Sequence, residues 1–193
     1  LGGAITGVDA LSTDAGGTTA INADITATTQ TYNDGITLGG TAGEARTLSG
    51  TSIDIKSGVT AGSHNLTLEA DTLAVAGSST ADAGVGVTLR TQTADRTIGL
   101  AGGAGDTGIS QATLNALGGA SGFRSITVGA GNGAIVANAL GLSTALILNA
   151  GTADITLAGI PGAGFHLSLN SIRTPLLGGT VTAVGPLTTN SAG

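Results

Sequence analysis

The sequence predicts an all-β solenoid of the parallel β-helix type, and three observations predict it. Short apolar–x–apolar units recur along the chain, bounded by Gly, Asn, Asp, Ser or Thr. Their spacing settles near a period of about 20 residues, the signature of a stacked repeat architecture. The composition suits thin stacked layers: 35 of 193 residues are Gly, and there is no Trp, Met or Cys, one Tyr and two Phe.

The units themselves are Ile36-Thr37-Leu38, Ile53-Asp54-Ile55, Leu66-Thr67-Leu68 and Val87-Thr88-Leu89, followed by Ile126-Thr127-Val128, Leu146-Ile147-Leu148, Ile155-Thr156-Leu157 and Leu167-Ser168-Leu169. Alternation with period two over three to five residues marks a short strand with one face buried. Thr on the outward face suits a pleated surface. Leu68 and Leu89 are 21 residues apart, Val128 and Leu148 are 20, and Leu148 and Leu169 are 21. The residues that follow echo one another too, as Leu68-Glu69-Ala70, Leu148-Asn149-Ala150 and Leu169-Asn170-Ser171. Eight or so turns stacked at about 4.8 Å would make a rod roughly 40 Å long. The N-terminal third shows no clear register.

One interval breaks the rhythm. Leu89 and Val128 are 39 residues apart, close to two periods. Ser110 can cap a helix there, Leu114 and Leu117 share one face, and Gly118 can end it. This predicts a short helix at 109–118 inserted between turns of a single solenoid segment spanning 1–193.

Composition also sets limits on function. At 40% hydrophobic the chain can bury a core and is not disordered by composition. Collagen is excluded, because Gly follows no three-residue period and there are only three Pro. Charged residues make up 9% of the chain and the net charge is −6, which excludes the basic face that nucleic acid requires. No apolar run reaches the length of a membrane span; the nearest, 134–150, is interrupted by Asn138, Ser143, Thr144 and Asn149. The sequence opens on Leu1 without a signal-peptide pattern, so it reads as a processed or excised segment of a longer chain or filament.

Two stretches resemble repeats of filamentous-haemagglutinin-like bacterial surface adhesins. The first is Thr29 to Gly39 (TQTYNDGITLG). The second joins Arg96 to Leu100 (RTIGL), a Gly-rich turn, Ile109 to Leu117 (ISQATLNAL) and Gly122 to Gly129 (GFRSITVG). The resemblance implies a right-handed parallel β-helix, export across the outer membrane and a role in attachment or matrix building. The secretion-domain signature of that family and an Arg-Gly-Asp motif are both missing from this sequence.

Several patterns could conceal chemistry. Gly103 to Gly108 spells G-x-G-x-x-G between a strand and a helix, the order of a dinucleotide site. The helix is only about two turns long, and the next acidic residue after Asp106 is Asp154, so a plain Gly-rich turn is the expectation. The Gly102-Gly103-Ala104-Gly105 run before Asp106 is one off-register copy of a calcium nonapeptide that works only in stacked copies. His64 and His166 lie far apart without metal-like partners, and both are expected at the surface or at strand ends. A polysaccharide-cleaving β-helix would need paired carboxylates on adjacent turns, and Asp54, Asp71 and Asp95 are the candidates. Tyr32 alone could serve as an aromatic sugar platform. Thr-x-Thr pairs are common, yet only Thr67 and Thr88 stand one period apart.

These observations point to a structural or adhesive segment of an extracellular or bacterial cell-surface protein, not an enzyme, with no catalytic residue, metal or organic cofactor. The alternative is a carbohydrate-active β-helix enzyme, a lyase or hydrolase. From Ser125 to Gly193 the only charged residues are Asp154 and Arg173. That predicts contact with another copy, or with continuing repeats, through the C-terminal third. A host surface or a carbohydrate is the further partner that an adhesive role implies.

Overall fold

The computed structural model describes residues 1–129, 133–161, 164–173, 175–182 and 185–190. The chain is a parallel β-helix of about nine turns. Its longest sheet stacks nine parallel strands in chain order: Ile5–Ser12, Ile25–Tyr32, Arg46–Ile55, Leu66–Val75, Gly86–Arg90, Ser125–Val128, Ala145–Gly151, Leu167–Ser171 and Leu187–Asn190. Each coil returns to this face in parallel, because one turn of solenoid serves as the crossover that parallel strands need.

The register follows the aliphatic repeats. Ile5, Ile25, Leu48, Leu68, Leu89, Val128, Leu148 and Leu169 form one column, each paired with the next. From Ile25 to Leu169 every member of this column is fully buried. Each such side chain contributes about 1.5–3 kcal/mol on burial. The core is therefore a set of vertical aliphatic stacks. The N-terminal register, unread in the sequence, continues the same column.

A second face holds Thr107–Ile109, Ile98–Leu100, Ile135–Ala137, Ile155–Leu157 and Leu176–Leu177, in that spatial order. A third face is divided. Thr18–Ile21, Gly35–Leu38, Val59–Gly62 and Thr80–Ala81 form one sheet, and Ile160–Pro161 and Val181–Thr182 form another.

The helix spans Gln111–Leu117 and explains that division. The Ser110 hydroxyl accepts from the Thr113 amide as N-cap, and the Gly118 amide donates to Leu114 O at the C-terminal end. Leu114 and Leu117 are buried on its inner side. The Ser79 amide donates to Ala116 O, the Ala81 amide to Ser121 O, and the Gly119 amide to Ser143 O. The helix and its exit thus take the hydrogen-bonding place of a strand, between the two sheets of the third face.

The 39-residue interval does not hold two turns on the long face. Leu89 pairs directly with Val128, so a single coil carries all of the extra residues. They are spent on the helix and on an additional strand of the second face. Ile98–Leu100 and Thr107–Ile109 belong to the same coil and pair in parallel. Between Leu66–Val75 and the following coil, the long face holds one strand, Gly86–Arg90. The second face holds two there, with Thr107–Ile109 lying beside Leu66–Val75. The stack contains a dislocation of about one strand spacing, ~4.8 Å.

Candidate functional site: the cleft at the dislocation

The segment 91–97 must connect a face with one layer to a face with two. Beside it lies a cleft of about 260 Å³, lined by Glu69, Arg90, Gln92, Asp95, Arg96 and Gly129 among others. Residues of the outer surface supply its polar wall. Glu69 and Arg90 are register neighbours on adjacent coils, and Arg90 Nη2 lies 2.5 Å from Glu69 Oε2. Ser49, one coil earlier, donates its hydroxyl to Glu69 Oε1 at 3.3 Å.

Arg96 is held from several sides. Its Nη1 is 3.8 Å from Asp71 Oδ2, its Nη2 donates to Asp106 O at 2.8 Å, and its Nε donates to Thr107 Oγ1 at 3.3 Å. Asp71 in turn accepts from the Thr93 amide at 2.9 Å and the Thr93 hydroxyl at 2.6 Å. Burial pushes the Asp71 carboxyl up, but these bonds and the Arg96 charge outweigh it and hold the group below the usual carboxylate range. An ionised Asp71 can orient Arg96; it cannot serve as a proton donor near neutral pH. Asp95 sits on the exposed rim with a φ of 61°, in the left-handed region that Asp tolerates better than most residues.

Of the three carboxylates singled out in the sequence, the fold brings Asp71 and Asp95 to this corner. Asp54 does not join them. It is in register with Ala74 and pairs with Lys56. Glu69 and the two arginines went unnoticed in the sequence; only the Leu68-Glu69-Ala70 echo placed Glu69 on an outward position next to the repeat column.

The G-x-G-x-x-G run is a structural turn. A Cβ on Gly103 would lie 2.1 Å from Val136 O, one on Gly99 2.1 Å from Gly103 O, and one on Gly105 2.3 Å from the Gly99 amide nitrogen. These glycines let backbone pack on backbone so that the chain can double back between two parallel strands. Their open side is filled by the chain itself, where a phosphate would have to sit. Gly108 lies within the strand Thr107–Ile109.

His64 is buried, so of the two positions expected for it the strand end holds and the surface does not. It sits just before the strand Leu66–Val75, and its Nδ1 donates to Glu44 O at 2.8 Å. A carbonyl can only accept, so the hydrogen bond fixes the proton on Nδ1. His166 is exposed and meets the Thr188 hydroxyl at 3.0 Å. Tyr32 is fully buried, donates to Gln30 Oε1 at 2.8 Å and offers no platform to a sugar; burial raises its phenol well above the usual range. Among the described residues no group of three or more His, Cys, Asp or Glu side chains could hold a metal ion.

The outward side of the long face carries a second regular feature. Thr47, Thr67, Thr88 and Thr127 stand in one column, continued by Ile147, Ser168 and Thr188. The sequence showed only the Thr67–Thr88 step, because the 39-residue interval hid Thr127 and the unread N-terminal register hid Thr47. The neighbouring outward column reads Thr26, Ser49, Glu69 and Arg90, so the hydroxyl ladder narrows to one rank at Thr67 and Thr88.

At the C-terminal end Ile172, Leu176, Leu177 and Leu187 are large apolar side chains exposed by 51%, 64%, 43% and 44%. The charges of this third, Asp154 and Arg173, lie 3.6 Å apart on the surface. Among the described residues no helix is long and apolar enough to cross a membrane. No protein-family model, curated protein or solved structure matches this chain.

Proposed function

We propose that this chain is a structural and adhesive segment of a secreted bacterial surface protein or extracellular filament. It would act by presenting rigid rod faces for attachment or self-assembly. The observation that carries this reading is the outward column from Thr47 to Thr188, whose register is locked by the buried aliphatic column beside it. Side chains held at a fixed spacing of about 4.8 Å form a surface that needs no ordering when it meets a partner. The weakly charged C-terminal coils, with Leu176, Leu177 and Leu187 exposed, support contact with another copy or with further repeats.

Attachment is tested by coating beads with the chain and measuring their retention on cell layers under flow. T67E/T88E beads should detach if the ladder face makes the contact, and equal retention of both would count against it. Surface location is read by antibody labelling of intact source cells, and assembly by light scattering with electron microscopy of native material.

A carbohydrate-active enzyme is the second reading, favoured by Glu69 and Asp95 facing one cleft. Release of reducing ends or unsaturated products from acidic and neutral polysaccharides would establish it.

A further inference from the structure

We propose that the cleft at the dislocation binds one neutral sugar residue, the exposed end of a surface glycan. This rests on the adhesive reading above and names the ligand class. Size sets the first limit. At about 260 Å³ the cleft lies just below the usual range for small-molecule sites, so it takes one small polar unit and not an extended chain.

Charge sets the second. Glu69 and Asp95 are balanced by Arg90 and Arg96 in the lining. An anion would have to draw Arg90 away from Glu69, or Arg96 away from Asp71, and a cation would find Glu69 and Asp71 already paired and gain only Asp95 on the solvated rim, where a lone ion pair adds little. A hydroxyl asks neither pair to separate. It donates to a carboxylate and accepts from a guanidinium at once, and two vicinal hydroxyls can do both side by side.

Unused capacity is present where it is needed. Among the described residues the Asp95 carboxylate and the Gln92 amide nitrogen have no hydrogen-bond partner, while Gln92 Oε1 is anchored by the Thr51 hydroxyl at 3.2 Å. The Arg96 guanidinium is locked by Asp106, Thr107 and Asp71, and Asp71 is locked by Thr93. Fixed donors and acceptors cost little to order on binding, which is how a small polar site gains affinity without an aromatic wall.

The test uses the whole chain in solution and reads saturation-transfer NMR and calorimetry with D-galactose, D-mannose, D-galacturonate and D-glucosamine. A neutral hexose should bind with a Kd of about 1 mM, and the charged sugars should bind at least about tenfold more weakly. Asp95→Asn keeps a residue that tolerates the left-handed backbone and should weaken the neutral sugar about fivefold with an unchanged melting temperature. No saturation transfer from either neutral hexose, tighter binding of galacturonate, or equal affinity in D95N would each overturn the proposal. Bead retention is measured on the same variant. Sugar binding lost in D95N with retention intact would leave the cleft assigned and separate it from the attachment face. Retention without any sugar binding by the wild-type chain would sink the cleft proposal and leave the adhesive reading standing.

Discussion

Leu89 and Val128, 39 residues apart in the chain, are nearest neighbours in the long parallel ladder. Neighbours elsewhere in this column stand 20 to 23 residues apart, so 16 to 19 of the residues between Leu89 and Val128 are excess over one coil. The long face stays regular across the dislocation, and the cost of the insertion falls on the other two faces. Shortening Leu89 should accordingly cost as much as shortening a residue in an undisturbed coil. Leu89→Ala is expected to destabilise by about 2–5 kcal/mol, like Leu148→Ala, because both are fully buried in one column. Thr88→Ala, one residue away on the outer ladder, should cost less than about 1 kcal/mol. Denaturant unfolding of the three variants checks this; a mild L89A would show that the core is loose at the insertion.

The Gly-rich turn allows a sharper comparison within a single motif. Gly103→Ala places a Cβ 2.1 Å from the backbone oxygen of Val136, whereas a Cβ on Gly108 meets nothing within 4 Å. G103A should lose about 2 kcal/mol or more of stability, and G108A should stay within about 1 kcal/mol of wild type. A nucleotide-binding loop would behave otherwise, with both variants folding normally and losing ligand. Equal melting temperatures for the two would contradict the backbone-packing account.

The repeats were legible because their physics is local. Alternation between Leu66 and Leu68, or Leu167 and Leu169, shows a half-buried strand, and the recurrence of those triplets shows the stacking. The helix was legible for the same reason, since Ser110, Leu114, Leu117 and Gly118 act within two turns of chain. The extra strand was not. Ile98–Leu100 and Thr107–Ile109 are three residues each with Gly at the centre, and they pair with each other within one coil while Ile98–Leu100 also pairs with Ile135–Ala137 of the next, an arrangement that no local pattern announces. The cleft was illegible with them, because it exists only where two faces disagree in layer number. Asp71 and Asp95 could be singled out as carboxylates, but nothing local distinguished them from Asp54.

Asp71 should make stability depend on pH. Its folded pKa lies below the ordinary value of 3.8, so the stabilisation is complete above that value. It is lost as pH falls through the lower, folded value, because the unfolded chain then binds the proton more readily than the native one does. Asp71→Asn should cost about 2 kcal/mol near neutral pH, where charge-assisted bonds to Thr93 and Arg96 are removed. The gap between wild type and D71N should hold from neutrality down to about pH 5 and narrow below about pH 4. A gap that widened in acid would show that the carboxyl is protonated in the folded chain.

Arg46 offers the most demanding test of how the first coils are held together. It stands at the head of a core column, in register with Leu66, and is 5% exposed. Its guanidinium is a buried donor cluster: Nε donates to Gly39 O at 2.9 Å, Nη1 to Ala45 O at 3.0 Å, and Nη2 to Glu44 Oε2 at 3.0 Å. The carboxylate partner is 56% exposed, so the ion pair itself is well solvated and adds little. Packing of the stem and satisfaction of the two carbonyls remain as the sources of stability. Arg46→Ala should therefore cost about 2–4 kcal/mol, from the cavity and the carbonyls left without donors. Arg46→Met keeps the stem volume and should recover about half of that loss. Glu44→Gln should cost less than about 1 kcal/mol. Urea titrations of the three variants rank the contributions. If E44Q proved as damaging as R46A, the salt bridge and not the buried stem would be what closes this corner, and the account of Arg46 as a polar member of the core column would fail.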